Sequence, residues 1–347
     1  MCERYRLLVT FHKLFKTQFM KKITASLYLP IVFACLLFTT YSCKKAVQND
    51  ETFGNEPLAQ AVVASNNIVD PGELVGDFDT GTPHLDQWHG IVCKDINFQY
   101  VAGNAAQIGI PVREGTKSAK FIVRPGDASP QTSGERSEAN HYNDTWHGYT
   151  QETFDDDFYY GWSTFIPTNW VTPPGWAVFA QWHHRSYSLP PIVFNLINSS
   201  DIRIQFATGL LTGASTNINN YANHNGYTIL PNATKGVWHD FIVHIRFTPN
   251  PTGQMQVWHK LQSQPTFTQI FSQYNISTMQ LYTSAAWPSL DNDAGLPDNT
   301  IQWGPGYVTT QNFLRLGLYR GNASFTNTIY HDNWARATSY NAILNNF

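Results

Sequence analysis

The sequence predicts an all-β protein, two stacked antiparallel sheets forming a jelly roll, and three observations carry that expectation. Aromatic residues make up 14% of the 347 positions and charged residues only 14%, a balance that suits short strands and turns better than long helices. Segments rich in β-branched and aromatic side chains recur along the chain, each closed by Gly, Pro, Asn or Ser. No coiled-coil heptad, internal repeat or low-complexity tract competes with them.

In chain order, residues 1–42 stand outside that fold. Met20-Lys21-Lys22 followed by ITASLYLPIVFACLLFTT has the basic start and short apolar core of a secretory signal, with residues 1–19 as an upstream extension. The run ends at TTYSCKK, where Ser42-Cys43 resembles a bacterial lipobox with Thr40 in place of the usual Leu. Cys43 is therefore the expected lipidation site of an exported lipoprotein at the outer membrane or cell surface, the membrane being met only through the lipid anchor. Residues 43–71, polar and featureless, read as the linker. Cys2 and Cys35 leave with the signal, so Cys93 remains as a lone core residue without a disulfide. Removal of residues 1–42 takes six of 22 basic and one of 25 acidic side chains, leaving a net charge near −8. That charge argues against nucleic acid and densely sulfated glycans as ligands.

The domain occupies 72–347. Its predicted strands are SAKFIVRP from Ser118, DFYYGWSTFIP from Asp157, WAVFAQWHH from Trp176, PPIVFNLI from Pro190, DIRIQFAT from Asp201, WHDFIVHIRF from Trp238, QMQVWHK from Gln254, FLRLGLYR from Phe313 and TIYHDNWARA from Thr328. The stretch from about Ser284 to Thr310 reads as a long loop, a cleft wall or a cover over one sheet end.

Residues two apart on a strand share a face. In FAQWHH this groups Phe179, Gln181 and His183, leaving Ala180, Trp182 and His184 on the other side. In GERSEAN it groups Arg136, Glu138 and Asn140; in FLRLGLYR, Arg315, Gly317 and Tyr319. Three polar faces backed by Ala, Trp and Leu, with glycine in one, suggest the floor of a binding site.

SGERSEA, YYGWSTFIP, FAQWH, PPIVFNL, WHDFIVHIRF with the following QVWHK, FLRLGLYRG and IYHDN resemble, in this order, the jelly-roll polysaccharide lyases that include heparin lyase I and glucuronan lyase. The resemblance covers about Gly76 to Ala337 and implies the concanavalin A-like lectin/glucanase type of sandwich. It also implies β-elimination of a 4-linked polyuronide, a monomer acting on an anionic polysaccharide without cofactor, and His183 and Tyr319 as the proton-transferring groups. Alginate lyases of similar fold carry a further arginine where this chain has Asn140. That difference and the low basic count put glucuronan-like chains first and alginate second.

Elimination explains the residue types. The C5 proton beside an ionised carboxylate is weakly acidic, so donors must first neutralise that carboxylate, and Gln181, Arg136 and Asn140 are the candidates. A base then takes the proton and an acid returns one to O4. On a D-glucuronate or D-mannuronate unit the two lie on one ring face, and Tyr319 alone can serve, with Arg315 as the expected nearby cation and substrate contact. On an L-iduronate or L-guluronate unit they lie on opposite faces, and His183 as base pairs with Tyr319 as acid. Glu138 is expected to orient Arg136. A glycoside hydrolase would need two carboxylates and the ExDxxE-type strand that this sequence lacks, and a purely carbohydrate-binding lipoprotein would not need His183 with Tyr319. His84, His89, His141 and His147 lack zinc spacing, so no catalytic metal is expected; Asp77, Asp79 and Asp332 are candidates for a structural calcium.

Overall fold

The structure is a computed structural model that describes residues 74–76, 90–93, 98–102, 111–115, 117–128, 134–140, 152–184, 188–286 and 300–347. Cys43, Asp77 and Asp79 lie outside the described residues, as does the side chain of Asn140.

Two large sheets carry the architecture. The seven-stranded sheet runs Gly226–Leu230, Asp201–Phe206, Ile192–Ile197, Ala177–His183, Phe313–Arg320, Glu135–Asn140, Gly90–Cys93, antiparallel throughout. The eight-stranded sheet runs Thr268–Ile276, Gly253–Leu261, Trp238–Arg246, Asp157–Phe165, Asn327–Ala337, Lys117–Val123, Phe98–Ala102, and Leu74–Gly76 also pairs with Asn327–Ala337. Non-consecutive strands lie side by side in both sheets, so the sandwich closes only through long-range pairing. This is the expected jelly roll.

The core lies between the sheets because most of their strands turn alternate residues inward. Trp162 and Phe241 from the larger sheet meet Trp182, Phe179 and Phe194 from the smaller one, with Trp162 to Phe194 at 5.4 Å between ring centroids and an interplanar angle of 84°. Each ring removes a large apolar surface from water, and the edge-to-face geometry adds quadrupole attraction. A short helix, Tyr340–Leu344, covers the opposite face of the larger sheet through Ile343, and the hydroxyl of Ser339 caps it by accepting the Ala342 N–H at 3.3 Å.

The segment read as a loop from Ser284 to Thr310 instead contributes two strands, Thr300–Gln302 and Tyr307–Thr310, to a five-stranded sheet with Tyr221–Asn223, Thr208–Leu211 and Gln280–Thr283. Its strands are too short for a hydrophobic period to show. DIRIQFAT likewise ends as a strand at Phe206, because Thr208–Leu211 leaves to pair with this small sheet.

Buried imidazoles make the fold sensitive to acid. Burial pushes His184 and His331 down to about 4 and His259 to about 3. An unfolded imidazole near 6.5 takes up protons that these folded ones refuse, so their contribution is complete above that pH and is lost as pH falls toward 4. Glu152, pushed up to about 6 by burial despite Arg336, and Asp156, also raised by burial, work in the opposite sense, but burial lowers His183 and His239 as well, so the imidazoles prevail. The urea midpoint is expected to be clearly lower at pH 5 than at pH 7; a flat profile would contradict this assignment.

Candidate active site

Three adjacent strands present the candidate residues on the face of the seven-stranded sheet turned away from the core. The central strand, Phe313–Arg320, pairs Tyr319 with Arg136, Gly317 with Glu138 and Arg315 with Asn140 on one side. On its other side Arg315 faces Gln181, Phe313 faces His183 and Tyr319 faces Val178. Register alone therefore gathers five of the seven predicted positions into two rows, Tyr319 with Arg136 and Arg315 with Asn140 and Gln181, with Glu138 in the row between them and His183 beyond the end.

Side-chain contacts then link them. The Arg136 guanidinium carbon lies 3.8 Å from the centroid of the Tyr319 ring, whose edge meets Trp176 at 4.3 Å between centroids. Glu138 stands between Arg136 and Gln181. One of its oxygens is 3.5 Å from an Arg136 nitrogen, and the other accepts a hydrogen bond from the Gln181 amide. Arg136, Glu138 and Gln181 are buried, whereas Tyr319, Arg315 and His183 are half-buried. The Gln181 carbonyl oxygen and Arg136 Nε have no hydrogen-bond partner among the described residues. Buried polar atoms left unpaired cost free energy, which a ligand carboxylate would recover at the Arg136 N–H and a ligand hydroxyl at the Gln181 oxygen.

Gly317 lets the central strand close against Glu135–Asn140: it pairs with Glu138, and a Cβ there would meet the Ser137 carbonyl oxygen, the Glu138 Cα and the core ring of Phe121. Its φ of +146° belongs to glycine, and the register slips between Leu316 and Tyr319. His331 of the opposite sheet secures this bulge: its Nε2 donates to the Gly317 carbonyl at 3.1 Å while Nδ1 meets the Thr164 hydroxyl at 3.1 Å.

The bulge corrects one expectation. Phe179 does not share the face of Gln181 and His183; it packs in the core against Phe194 and His331. Register also shifts between Val178 and Ala180 against the neighbouring strand, so strict alternation fails at this point. A second correction concerns the cation at Tyr319, which is Arg136 from the adjacent strand. Arg315 is four positions away, with its guanidinium 5.0 Å from the Phe313 ring and its charge acting on His183.

His183 is held well below the usual imidazole range, by burial first and then by Arg315. Its Nδ1 bonds the His184 carbonyl, which only accepts, so Nδ1 carries the proton and Nε2 keeps the lone pair. The His184 ring is tied in turn to Gln280 at 2.5 Å and to Ser188 and Tyr282 at 3.1 and 3.0 Å, a buried polar cluster that fixes the backbone on which His183 depends. Trp176 and this cluster were not singled out from sequence. Neither has a local pattern, because each reaches the site through packing between distant segments.

Glu135 belongs to structure: it pairs with buried Arg320 at 2.7 Å. Asp332 accepts the backbone N–H of Arg113 at 2.8 Å, and among the described residues no cluster of three or more His, Cys, Asp or Glu gathers for a metal.

A family model described as "Polysaccharide lyase" matches residues 78–335. No curated protein matches the sequence. Among solved structures the chain is similar to an endo-β-1,4-glucuronan lyase from the fungus Trichoderma reesei, 14% identical, covering 78% of this chain and 96% of that one at a TM-score of 0.48. It is also similar to an alginate lyase from Aplysia kurodai, 8% identical over 77% and 98% of the two chains with a TM-score of 0.45. A third, alginate lyase vAL-1 from Chlorella virus, is 9% identical over 77% and 99%, with a TM-score of 0.43.

Proposed function

The chain belongs to the polysaccharide lyase family, and from that membership we propose that it cleaves a 4-linked uronic acid polymer by β-elimination, glucuronan-like chains first and alginate second. The observation that carries this reading is the unbroken contact from Tyr319 through Arg136 and Glu138 to Gln181. It joins a proton-transferring phenol to two groups able to neutralise a carboxylate.

Arg136, through its unpaired Nε–H, and Gln181, through the amide hydrogen that Glu138 does not take, bind the carboxylate of the unit to be opened, so that charge developing at C5 passes into oxygens already held by donors. Glu138 sets the orientation of both. On a D-glucuronate unit Tyr319, acting as phenolate, takes the C5 proton; the C4–O4 bond breaks as the C4–C5 double bond forms; and the proton passes from Tyr319 to O4. His183 stands at the far end of the row from Tyr319, opposite Phe313, which supports a single phenol doing both transfers. A second scheme is favoured by the His183 tautomer: on a unit with its C5 hydrogen on the opposite ring face, the Nε2 lone pair is available as the base. Glu138 is committed to Gln181 and Arg136, which weighs against a hydrolase built on paired carboxylates.

A panel of polyuronides followed by ultraviolet absorbance tests the reading. Glucuronan is expected to give the strongest rise from new C4–C5 double bonds. Reducing ends without absorbance would mean hydrolysis, and retention on polymer with neither would mean binding alone; either result would overturn the proposal.

A further inference from the structure

The same face of the seven-stranded sheet continues past the candidate catalytic residues, and we propose that Arg203 and Gln205 form a separate subsite there for the carboxylate of another uronate unit. This rests on the polyuronide reading above. The strand Asp201–Phe206 alternates strictly: Ile202, Ile204 and Phe206 are buried in the core, while Asp201, Arg203 and Gln205 are half-buried on the other side. Directly paired residues share a face, so register identifies which face that is. Tyr319 pairs with Val178, Val178 with Asn195, and Asn195 with Arg203; Gln181 pairs with Val193, and Val193 with Gln205. Arg203 thus lies in the row of Tyr319 and Arg136, and Gln205 in the row of Gln181 and Arg315.

Adjacent strands are spaced ~4.8 Å apart, so Arg203 stands roughly 10 Å beyond the strand of Gln181, the span of about two sugar units. Between them on this face lie Val193 and Asn195, both buried. A chain laid across the strands from Tyr319 would follow this row to Arg203.

Two features mark Arg203 as a ligand group. Arg113, Arg136, Arg320 and Arg336 each pair with a carboxylate, but among the described residues no carboxylate pairs with Arg203. The guanidinium also has a seat. A Cβ placed on Gly226 would lie 2.1 Å from its Nη2 and 2.6 Å from its Cζ, so the absence of that carbon is what lets the planar group rest against the backbone. Held there, it offers the bidentate geometry that suits a carboxylate, with the Gln205 amide beside it. On an acid-rich chain, with 25 acidic against 22 basic residues, a cation fixed on the substrate face also offsets repulsion of an anionic polymer.

The test combines kinetics with binding. Arg203→Ala is expected to raise KM for long glucuronan or alginate chains by about tenfold with kcat unchanged, and to leave cleavage of the shortest substrates unaffected. Gly226→Ala, which keeps the charge but displaces the guanidinium, should raise KM in the same direction by a smaller factor. In a Tyr319→Phe background, adding Arg203→Ala should weaken retention in a gel containing the same polymer. If the wild type cleaves no polyuronide, the parent reading fails and the subsite with it. If the wild type cleaves while Arg203→Ala keeps its KM and retention, or loses kcat alone, the subsite is wrong and the parent reading stands.

Discussion

Tyr319→Phe is expected to fold normally and to lose elimination activity by at least about 10²-fold, the lower end of what a positioned proton-transferring group contributes. Removing one hydroxyl leaves the ring in place between Arg136 and Trp176, and the guanidinium keeps its stacked position on the ring face. The thermal midpoint should therefore stay close to that of the parent. What disappears is the only oxygen on that side chain able to take the C5 proton and return it to O4, so the loss should fall on kcat. Initial rates by ultraviolet absorbance, with a melting curve on the same sample, decide the matter. Activity within tenfold of the parent, in a folded variant, would remove Tyr319 from the chemistry.

Gly317→Ala is expected to destroy activity by a different route. A methyl carbon at this position would sit 2.3 Å from the Ser137 carbonyl oxygen and 2.6 Å from the Glu138 Cα, both backbone atoms that cannot step aside. A φ of +146° is also forbidding for any residue with a side chain. Relief requires the central strand to separate from Glu135–Asn140, which moves Glu138 off Gln181 and the Gly317 carbonyl off His331. The cost is about 3 kcal/mol or more, in the range reserved for backbone strain and lost buried hydrogen bonds. Urea unfolding should show it as a lowered midpoint, accompanied by near-complete loss of turnover. Wild-type stability with wild-type rate would mean that the bulge has no part in the site.

Much of this was readable in the sequence because strand alternation is a local signal. The period of two placed Arg136 with Glu138, Gln181 with His183, and Arg315 with Tyr319, and it assigned Trp182 and Leu316 to the core. It failed at Phe179 because a bulge spends an extra residue on one strand only, and the slip shows only in the pairing with the strands on either side, Ile192–Ile197 and Phe313–Arg320. The cation at Tyr319 was misassigned for the same reason. Arg315 is near in sequence, but Arg136 is opposite in register, and register is a property of two strands together. Arg203 and Gln205 had a visible signal, two polar residues alternating with Ile in DIRIQF, yet only pairing through Asn195 and Val193 connects them to Tyr319 and Gln181.

The central claim is that this set of residues breaks its polymer by moving a proton instead of adding water. Digestion of glucuronan in ¹⁸O-labelled water, followed by mass spectrometry of the fragments, addresses it directly. The account predicts fragments with no label at the cleaved bond and non-reducing ends lighter by one water than hydrolysis would leave, formed by the wild type and not by Tyr319→Phe. Incorporation of ¹⁸O at the new reducing end, with ends of full mass, would contradict it.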